Sequence, residues 1–287
     1  MLDEELAYFL GLITARGRIE TKEDMISIIL EIPFKKNNTE IMHEFLVSVL
    51  LKIRTIFEKL IGTSSRIFYS DESHLFMIKA SIDKNSLMDK FLKYAFKEAT
   101  EHKTFEVPKI IFETDDIEIK KAYLKGYGDI GANVRKSNRD QSGFHRVFVD
   151  VLNENWKLPV QLCKLFRDIN VGVANIIWGH PNFNRAFKEH QIRIYTQEYE
   201  KIGFSIEPKM KTLNVLSKEN KGKIKSKSKR KFMCKPSTRN KEKDQKPIEE
   251  NNPYLPDSIR GKHFDYYWEI CAEFGCEIAQ EKLKELR

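Results

Sequence analysis

The chain has 287 residues, of which 41% are hydrophobic, and it carries a formal net charge of +8 at pH 7. This length and apolar content predict a globular protein with a substantial core and exclude a largely disordered chain. No apolar run reaches membrane length, and the residues at positions 3–5 are acidic where a secretory leader would be basic. We therefore expect a cytoplasmic protein with no membrane partner.

The positive charge is concentrated in one segment. Residues 218–246 hold thirteen Lys and Arg against three acidic residues, a net charge of +10, so the rest of the chain sums to −2. The segment has too few apolar residues to fold alone, and we predict a linker that attracts nucleic-acid phosphates without sequence preference, or a solubilising tether. Specific binding of nucleic acid would then need charge gathered on one face of the folded part.

The first half of the chain predicts a helix followed by two strands, a helix, two strands and a helix. Periodicity and β-branched content give the strands, and polar caps and turn residues give the boundaries. After the first helix, the predicted strands are 18–20, 25–34, 66–70 and 75–81, and the predicted helices end near Leu60 and Ala99.

The second half repeats this order. A helix leads into the predicted strands 132–136, 145–152, 173–178 and 191–195, with helices at 158–169 and from 196 onward. Val147, Val149 and Val151 alternate with other residues, which is typical of a strand with one buried face. A polar loop at 137–143 separates the first two of these strands.

Two related segments stand about 110 residues apart, LAYFLGLITARGRIE at residues 6–20 and AYLKGYGDIGANVRK at residues 122–136. Small residues recur in both, as helices need where their backbones approach each other closely. Together with the repeated order of elements, the two segments resemble the motif of the LAGLIDADG family of homing endonucleases and their relatives. The resemblance covers roughly residues 1–207.

The resemblance implies an α+β fold in which a pseudo-two-fold pair of αββαββα units forms a saddle of two four-stranded antiparallel sheets. Such a protein would be a monomer with internal pseudo-symmetry. The predicted domains are 1–104 and 105–210 for the two repeats, 211–252 for the basic linker, and 253–287 for a small helical module. The four cysteines lack paired metal-ligand spacing, so we predict no zinc site.

In the family, the acidic residue at the eighth motif position binds a divalent metal beside a scissile phosphate. This chain has Arg16 and Gly131 at those positions, and neither can coordinate a hard cation. Asp129, two positions before Gly131, is the remaining candidate for a catalytic and metal-binding residue, with Mg²⁺ as the cofactor if the protein cleaves. The alternative is that Asp129 has a structural role, as a polar residue that caps a helix end or packs there.

The resemblance also implies double-stranded DNA as the partner, held in the concave face of the saddle. Basic and amide side chains on the strands of that face would contact phosphates and base edges. The candidate DNA-binding residues are Arg16, Arg18, Lys22, Arg135, Lys136, Asn138, Arg139, Gln141, His145 and Arg146. For the cluster at 135–139, a solvated hairpin tip is the alternative.

Two functions remain open from the sequence. The first is a site-specific endonuclease of homing or restriction type, which we favour. The second is a DNA-binding protein or transcriptional regulator that kept the saddle and lost the chemistry, which the missing motif acids favour. RNA binding is a third possibility, although A-form RNA hides the groove that such a saddle would fill.

Overall fold

The computed structural model describes residues 2–33, 49–70, 75–136, 144–152, 157–180, 189–224 and 284. The chain divides into two compact units. The first unit contains Met1–Asn133 and Ile202–Leu213, and the second contains Val134–Lys201 and Asn214–Arg287. Within the described residues, no helix is both long and apolar enough to cross a membrane.

The predicted α+β fold is confirmed, with two four-stranded antiparallel sheets whose strands follow the same order, β1-β2-β4-β3 and β5-β6-β8-β7. The strands are β1 Gly17–Thr21, β2 Met25–Pro33, β3 Ser65–Ser70, β4 Leu75–Asp83, β5 Ala132–Arg135, β6 Arg146–Leu152, β7 Val173–His180 and β8 Glu189–Tyr195. The helices are α1 Glu4–Arg16, α2 Leu51–Ile61, α3 Leu87–Phe96, α4 Lys109–Glu113, α5 Ile117–Gly131, α6 Lys157–Asp168, α7 Thr196–Tyr199 and α8 Glu207–Ile224.

The two motif helices, α1 and α5, pack against each other in the first unit. Their backbones come very close at Gly11 and Gly126, because a Cβ on Gly11 would lie 2.1 Å from the carbonyl oxygen of Tyr123, and one on Gly126 would lie 2.0 Å from that of Tyr8. These contacts are reciprocal, as a pseudo-two-fold axis requires. The small residues of the motif therefore set the distance between the two helices.

In the first sheet, alternate residues face the core. Buried and partly exposed residues alternate along the whole of β4, and the register places its buried residues beside buried residues of β2. The core-facing residues are Ile26, Ile28, Leu30 and Ile32 on β2 with Ile82, Ala80, Ile78 and Phe76 opposite them on β4. The other face of this sheet is called the first outer face below.

The second sheet repeats this arrangement. Val147 and Val149 are buried and lie opposite Ile194 and Ile192, respectively. The alternation predicted for this strand is therefore present, and it leaves a second outer face on the opposite side of the sheet.

Helix α8 extends into the segment that the sequence predicted as a basic linker. It runs through Ile224, so the first part of the predicted linker at 211–252 is helical, and the remainder lies outside the described residues. The buried residues Leu213, Leu216 and Asn220 lie three or four positions apart on this helix. The stripe they form is the reason that so polar a sequence continues as a helix.

Candidate nucleic-acid interface

The second outer face carries arginines and aromatic residues. Its strands pair Arg146 with Tyr195, and Phe148 with Arg193. Since side chains alternate along a strand, these four residues lie on the face opposite Val147. The strand register therefore brings cations and rings together from two strands.

Each arginine of this face lies against a ring. The guanidinium carbon of Arg135 is 4.5 Å from the ring centre of Phe148, and that of Arg193 is 5.4 Å from the same ring. The guanidinium carbon of Arg146 lies 5.2 Å from the ring centre of Tyr195. These cation–π contacts orient the guanidinium groups.

A chain of hydrogen bonds also orients Arg193. Its Nε–H donates to Oε1 of Gln191 at 2.9 Å, and Nε2 of Gln191 donates to Oδ1 of Asp150 at 3.0 Å. Gln191 is buried. The guanidinium of Arg193 is therefore held both by a ring and by an amide.

The structure does not place all the predicted DNA-binding residues of the second repeat on the second outer face. Arg135 and Lys136 are exposed, and Arg146 is half-buried on the second outer face. His145 does not belong to this face, which corrects the prediction. It precedes the strand and is buried, and its Nε2 lies 2.6 Å from the carboxylate of Glu219. Asn138, Arg139 and Gln141 lie outside the described residues.

Sequence reasoning missed Arg193, Phe148 and Tyr195. The signal in the sequence was the strand at residues 191–195, in which Arg193 stands between the apolar residues Ile192 and Ile194. That alternation predicts an outward arginine. Only the strand pairing shows that the arginine lies beside Phe148.

The first outer face carries a row of three cations, which lie on β1, β4 and β3. The register aligns Arg18 of β1 with Ile29 of β2, Ile29 with Lys79 of β4, and Lys79 with Arg66 of β3. The row includes Arg18, which was predicted, and adds two cations that were not. Lys22, also predicted, is exposed in the turn between β1 and β2.

Carboxylates accompany the cations of the first outer face. Glu20 Oε1 lies 3.2 Å from Nη1 of Arg18, and Glu20 Oε2 lies 3.4 Å from Nζ of Lys79. Glu31 Oε1 lies 3.4 Å from Nε of Arg18. On the first outer face, carboxylates therefore pair with two of the cations.

The eighth motif positions lie at the ends of the motif helices. Arg16 is the last residue of α1 and is half-buried, and Gly131 is the last residue of α5. The helix ends are adjacent, since a Cβ on Gly131 would lie 3.3 Å from the Cβ of Ala15. Neither helix end carries the acidic residue of the family motif.

Asp129 lies between these helices and is only 1% exposed. The hydroxyl of Tyr8 donates a hydrogen bond to its Oδ2 at 2.5 Å, and the backbone N–H of Ser205 donates to its Oδ1 at 3.0 Å. Burial raises the pKa of the Asp129 carboxyl, although the Tyr8 hydrogen bond and the charge of Lys209 act in the opposite direction. Burial, followed by the charge of Asp129, also raises the pKa of Tyr8.

A lysine from α8 occupies the carbonyl end of the second motif helix. The Nζ of Lys209 donates to the backbone oxygens of Asp129 and Ala132, each at 2.6 Å, and lies 3.4 Å from that of Gly128. The last carbonyls of a helix have no partner within the helix and form the negative end of its dipole. Lys209 therefore supplies a fixed positive charge at this helix end.

These residues do not fit a divalent metal ion. Mg²⁺ takes oxygen ligands, whereas the helix ends present the guanidinium of Arg16, the ammonium of Lys209 and a glycine. The Asp129 carboxylate already accepts hydrogen bonds from Tyr8 and Ser205. Among the described residues there is also no group of three or more His, Cys, Asp and Glu that could hold a metal ion.

A buried histidine lies beside the end of α1. Nδ1 of His102 is 3.2 Å from the carbonyl oxygen of Gly17, and its backbone N–H donates to the same oxygen at 2.8 Å. Burial, followed by the positive charge of Arg16, lowers the pKa of His102 to about 4. The imidazole is therefore neutral at pH 7 and adds no charge to this end of the helix.

Comparison with known proteins gives a structural match and no sequence match. No protein-family model and no curated protein matches the chain. The homing endonuclease I-WcaI, bound to its DNA recognition sequence, is 12% identical, with 70% of this chain and 80% of that chain covered and a TM-score of 0.43. I-DmoI in complex with DNA and Ca is 10% identical, with 69% of this chain and 86% of that chain covered and a TM-score of 0.41.

The N-terminal LAGLIDADG domain of DUF199/WhiA also matches, at 14% identity, with 80% of this chain and 83% of that chain covered and a TM-score of 0.38. One of these three structures is named as a LAGLIDADG domain, which is the family that the two motif segments resemble.

Proposed function

We propose that the protein binds double-stranded DNA, and that the second outer face is its main contact surface. The observation that carries the proposal is the set of three arginines, Arg135, Arg146 and Arg193, each oriented by an aromatic ring on one face of one sheet. The partner is the one that the motif resemblance implies.

The chemistry of this face suits a nucleic acid. A guanidinium binds a phosphate, or the O6 and N7 atoms of guanine, through two parallel hydrogen bonds. The rings of Phe148 and Tyr195 limit the rotamers of the arginines, so the side chains give up less entropy on binding. Because Asp150 and Gln191 hold Arg193, this residue is our first candidate for contact with a base edge.

The proposal does not include metal-dependent cleavage at the motif helices. Arg16 and Gly131 provide no carboxylate there, and Asp129 is buried among hydrogen-bond donors. We therefore propose the second of the two functions left open by the sequence, a DNA-binding protein that acts as a regulator. Cleavage by an endonuclease of homing or restriction type, with Mg²⁺ and Asp129, was the first function left open by the sequence, and it is tested separately below.

Duplex binding would be measured by fluorescence anisotropy with sequences selected from a randomised library, for the wild type and for Arg135→Ala and Arg193→Ala. Each variant should bind about five- to tenfold more weakly, and the slope of log K against log salt should fall by about 0.9 for each phosphate that is no longer neutralised. The control is Lys211→Ala, an exposed lysine on α8. Equal affinities for all four proteins would refute the proposed surface.

The predicted cleavage requires a separate experiment. A randomised plasmid library would be incubated with the protein in Mg²⁺, in Mn²⁺ and in chelator, and the DNA ends would be sequenced. We expect retained duplexes and no new ends. Discrete metal-dependent ends that disappear in Asp129→Asn would instead support the endonuclease, and preference for duplex RNA in competition would refute DNA as the partner.

A further inference from the structure

The cation row of the first outer face is long enough to follow a nucleic-acid backbone. It runs from Arg18 on one edge strand to Arg66 on the other, with Lys79 between them. Three strand spacings separate the two edges, a distance of about 14 Å at the backbone. With no acidic neighbours, this row would present three positive charges.

Glu20 is the acidic residue that two of these cations share. Its carboxylate lies 3.2 Å from Arg18 and 3.4 Å from Lys79, whereas Glu31 forms its ion pair with Arg18. The side chains of Glu20 and Lys79 are 33% and 31% exposed, so both remain within reach of a ligand. A phosphate that approached the row would meet the charge of Glu20 and compete with it.

The second repeat has the opposite charge at the corresponding position. Glu20 is the fourth residue after Arg16, and Arg135 is the fourth residue after Gly131. Both lie on the strand that directly follows a motif helix, and the two strands occupy equivalent edge positions in their sheets. The same place in the fold thus carries a carboxylate in one repeat and a guanidinium in the other.

We infer that Glu20 is a negative determinant of DNA affinity, which holds Arg18 and Lys79 and weakens phosphate binding by the first outer face. This inference rests on the proposed function. Binding selectivity improves when non-specific phosphate attraction is limited, because that attraction acts equally on every sequence.

The test is Glu20→Gln, which removes the charge and keeps the size of the side chain. Duplex affinity should rise about three- to tenfold in roughly 100 mM salt, and the salt slope should become steeper by about one to two units, since up to two phosphates gain a cation. The matched control is Glu113→Gln, which removes the same charge from an exposed ion pair with Lys109. The control should change affinity less than twofold.

A double variant shows whether the effect passes through the named cation. In Glu20→Gln combined with Lys79→Met, most of the gain should disappear, because the released ammonium is absent. Circular dichroism of each variant confirms that it is folded. An affinity of Glu20→Gln equal to that of Glu113→Gln would overturn the inference.

The two proposals fail in different ways. If the wild type binds duplexes and Arg135→Ala weakens binding while Glu20→Gln has no effect, the inference is wrong and the proposed function stands. If neither the wild type nor Glu20→Gln binds any duplex, both are wrong. If Glu20→Gln binds more tightly but Arg135→Ala equals the wild type, the inference stands and the second outer face is not the main surface.

Discussion

The contact between the motif helices can be tested with Gly126→Ala. The added Cβ would lie 2.0 Å from the carbonyl oxygen of Tyr8, which is a backbone atom and cannot rotate away. An ordinary contact between carbon and a carbonyl oxygen is about 3.3 Å, so α1 and α5 would have to separate by about 1.3 Å. Close packing along both helices resists this displacement.

The expected decrease in stability follows from two opposing effects. Overpacking of a core costs about 1–3 kcal/mol, and a backbone clash on a helix crossing belongs at the upper end. In the opposite direction, the higher helix propensity of alanine relative to glycine raises the free energy of unfolding by up to about 1 kcal/mol. We therefore expect Gly126→Ala to lower the free energy of unfolding by about 2 kcal/mol, and Gly11→Ala, with its Cβ 2.1 Å from the oxygen of Tyr123, to do the same.

Urea unfolding followed by circular dichroism would measure these changes. The control is Gly222→Ala, because Gly222 is in helix α8 and a Cβ there would meet nothing within 4 Å. This control should be as stable as the wild type or more stable by up to about 1 kcal/mol. If Gly126→Ala gained stability as the control does, the helices would not be held together by backbone contact at this point.

Two further predictions concern charges near the helix ends. The pKa of His102 is lowered to about 4 in the folded protein, so as the pH falls below 6.5 this histidine binds a proton in the unfolded chain before it does so in the folded protein. The free energy of unfolding should therefore decrease by about 3 kcal/mol between pH 6.5 and 4. The amide of His102→Asn can replace the Nδ1 contact with Gly17 and does not titrate, so the free energy of unfolding of this variant, measured with urea, should decrease less over the same pH range. A decrease equal to that of the wild type would contradict a buried, neutral imidazole. Lys209→Met removes the cation from three helix-end carbonyls and should cost about 2 kcal/mol. Lys211→Met, on the exposed side of the same helix, should cost less than about 0.5 kcal/mol, and similar costs for the two variants would refute a capping role for Lys209.

The sequence predicted the main elements because their signals are local. Alternation of Val147, Val149 and Val151 placed one face of β6 in the core, and small residues such as Gly11 and Gly126 predicted two helices in close contact. The order of elements then predicted two similar antiparallel sheets. Each of these features depends on residues that are near one another in the chain.

The roles of individual polar residues were less predictable. Asp129 was the candidate metal ligand, and its position in the motif gives no sign that Tyr8 and Ser205 would enclose it. His145 was predicted on the DNA-binding face from its basic surroundings, but residues of α8, among them Glu219, cover it. In each case a partner at least 70 residues away determines the environment of the side chain.

The sequence by itself determined the fold class, the repeated order of strands and the absence of both motif acids at Arg16 and Gly131, because periodicity and residue identity can be read locally. Only the tertiary structure decided which charges can reach a ligand. Strand register places Glu20 between Arg18 and Lys79, and places Arg135 and Arg193 around Phe148. The physical reason is that the attraction between a charged side chain and a ligand depends on the charges and rings beside that side chain. Strand pairing brings together residues that are far apart in the sequence.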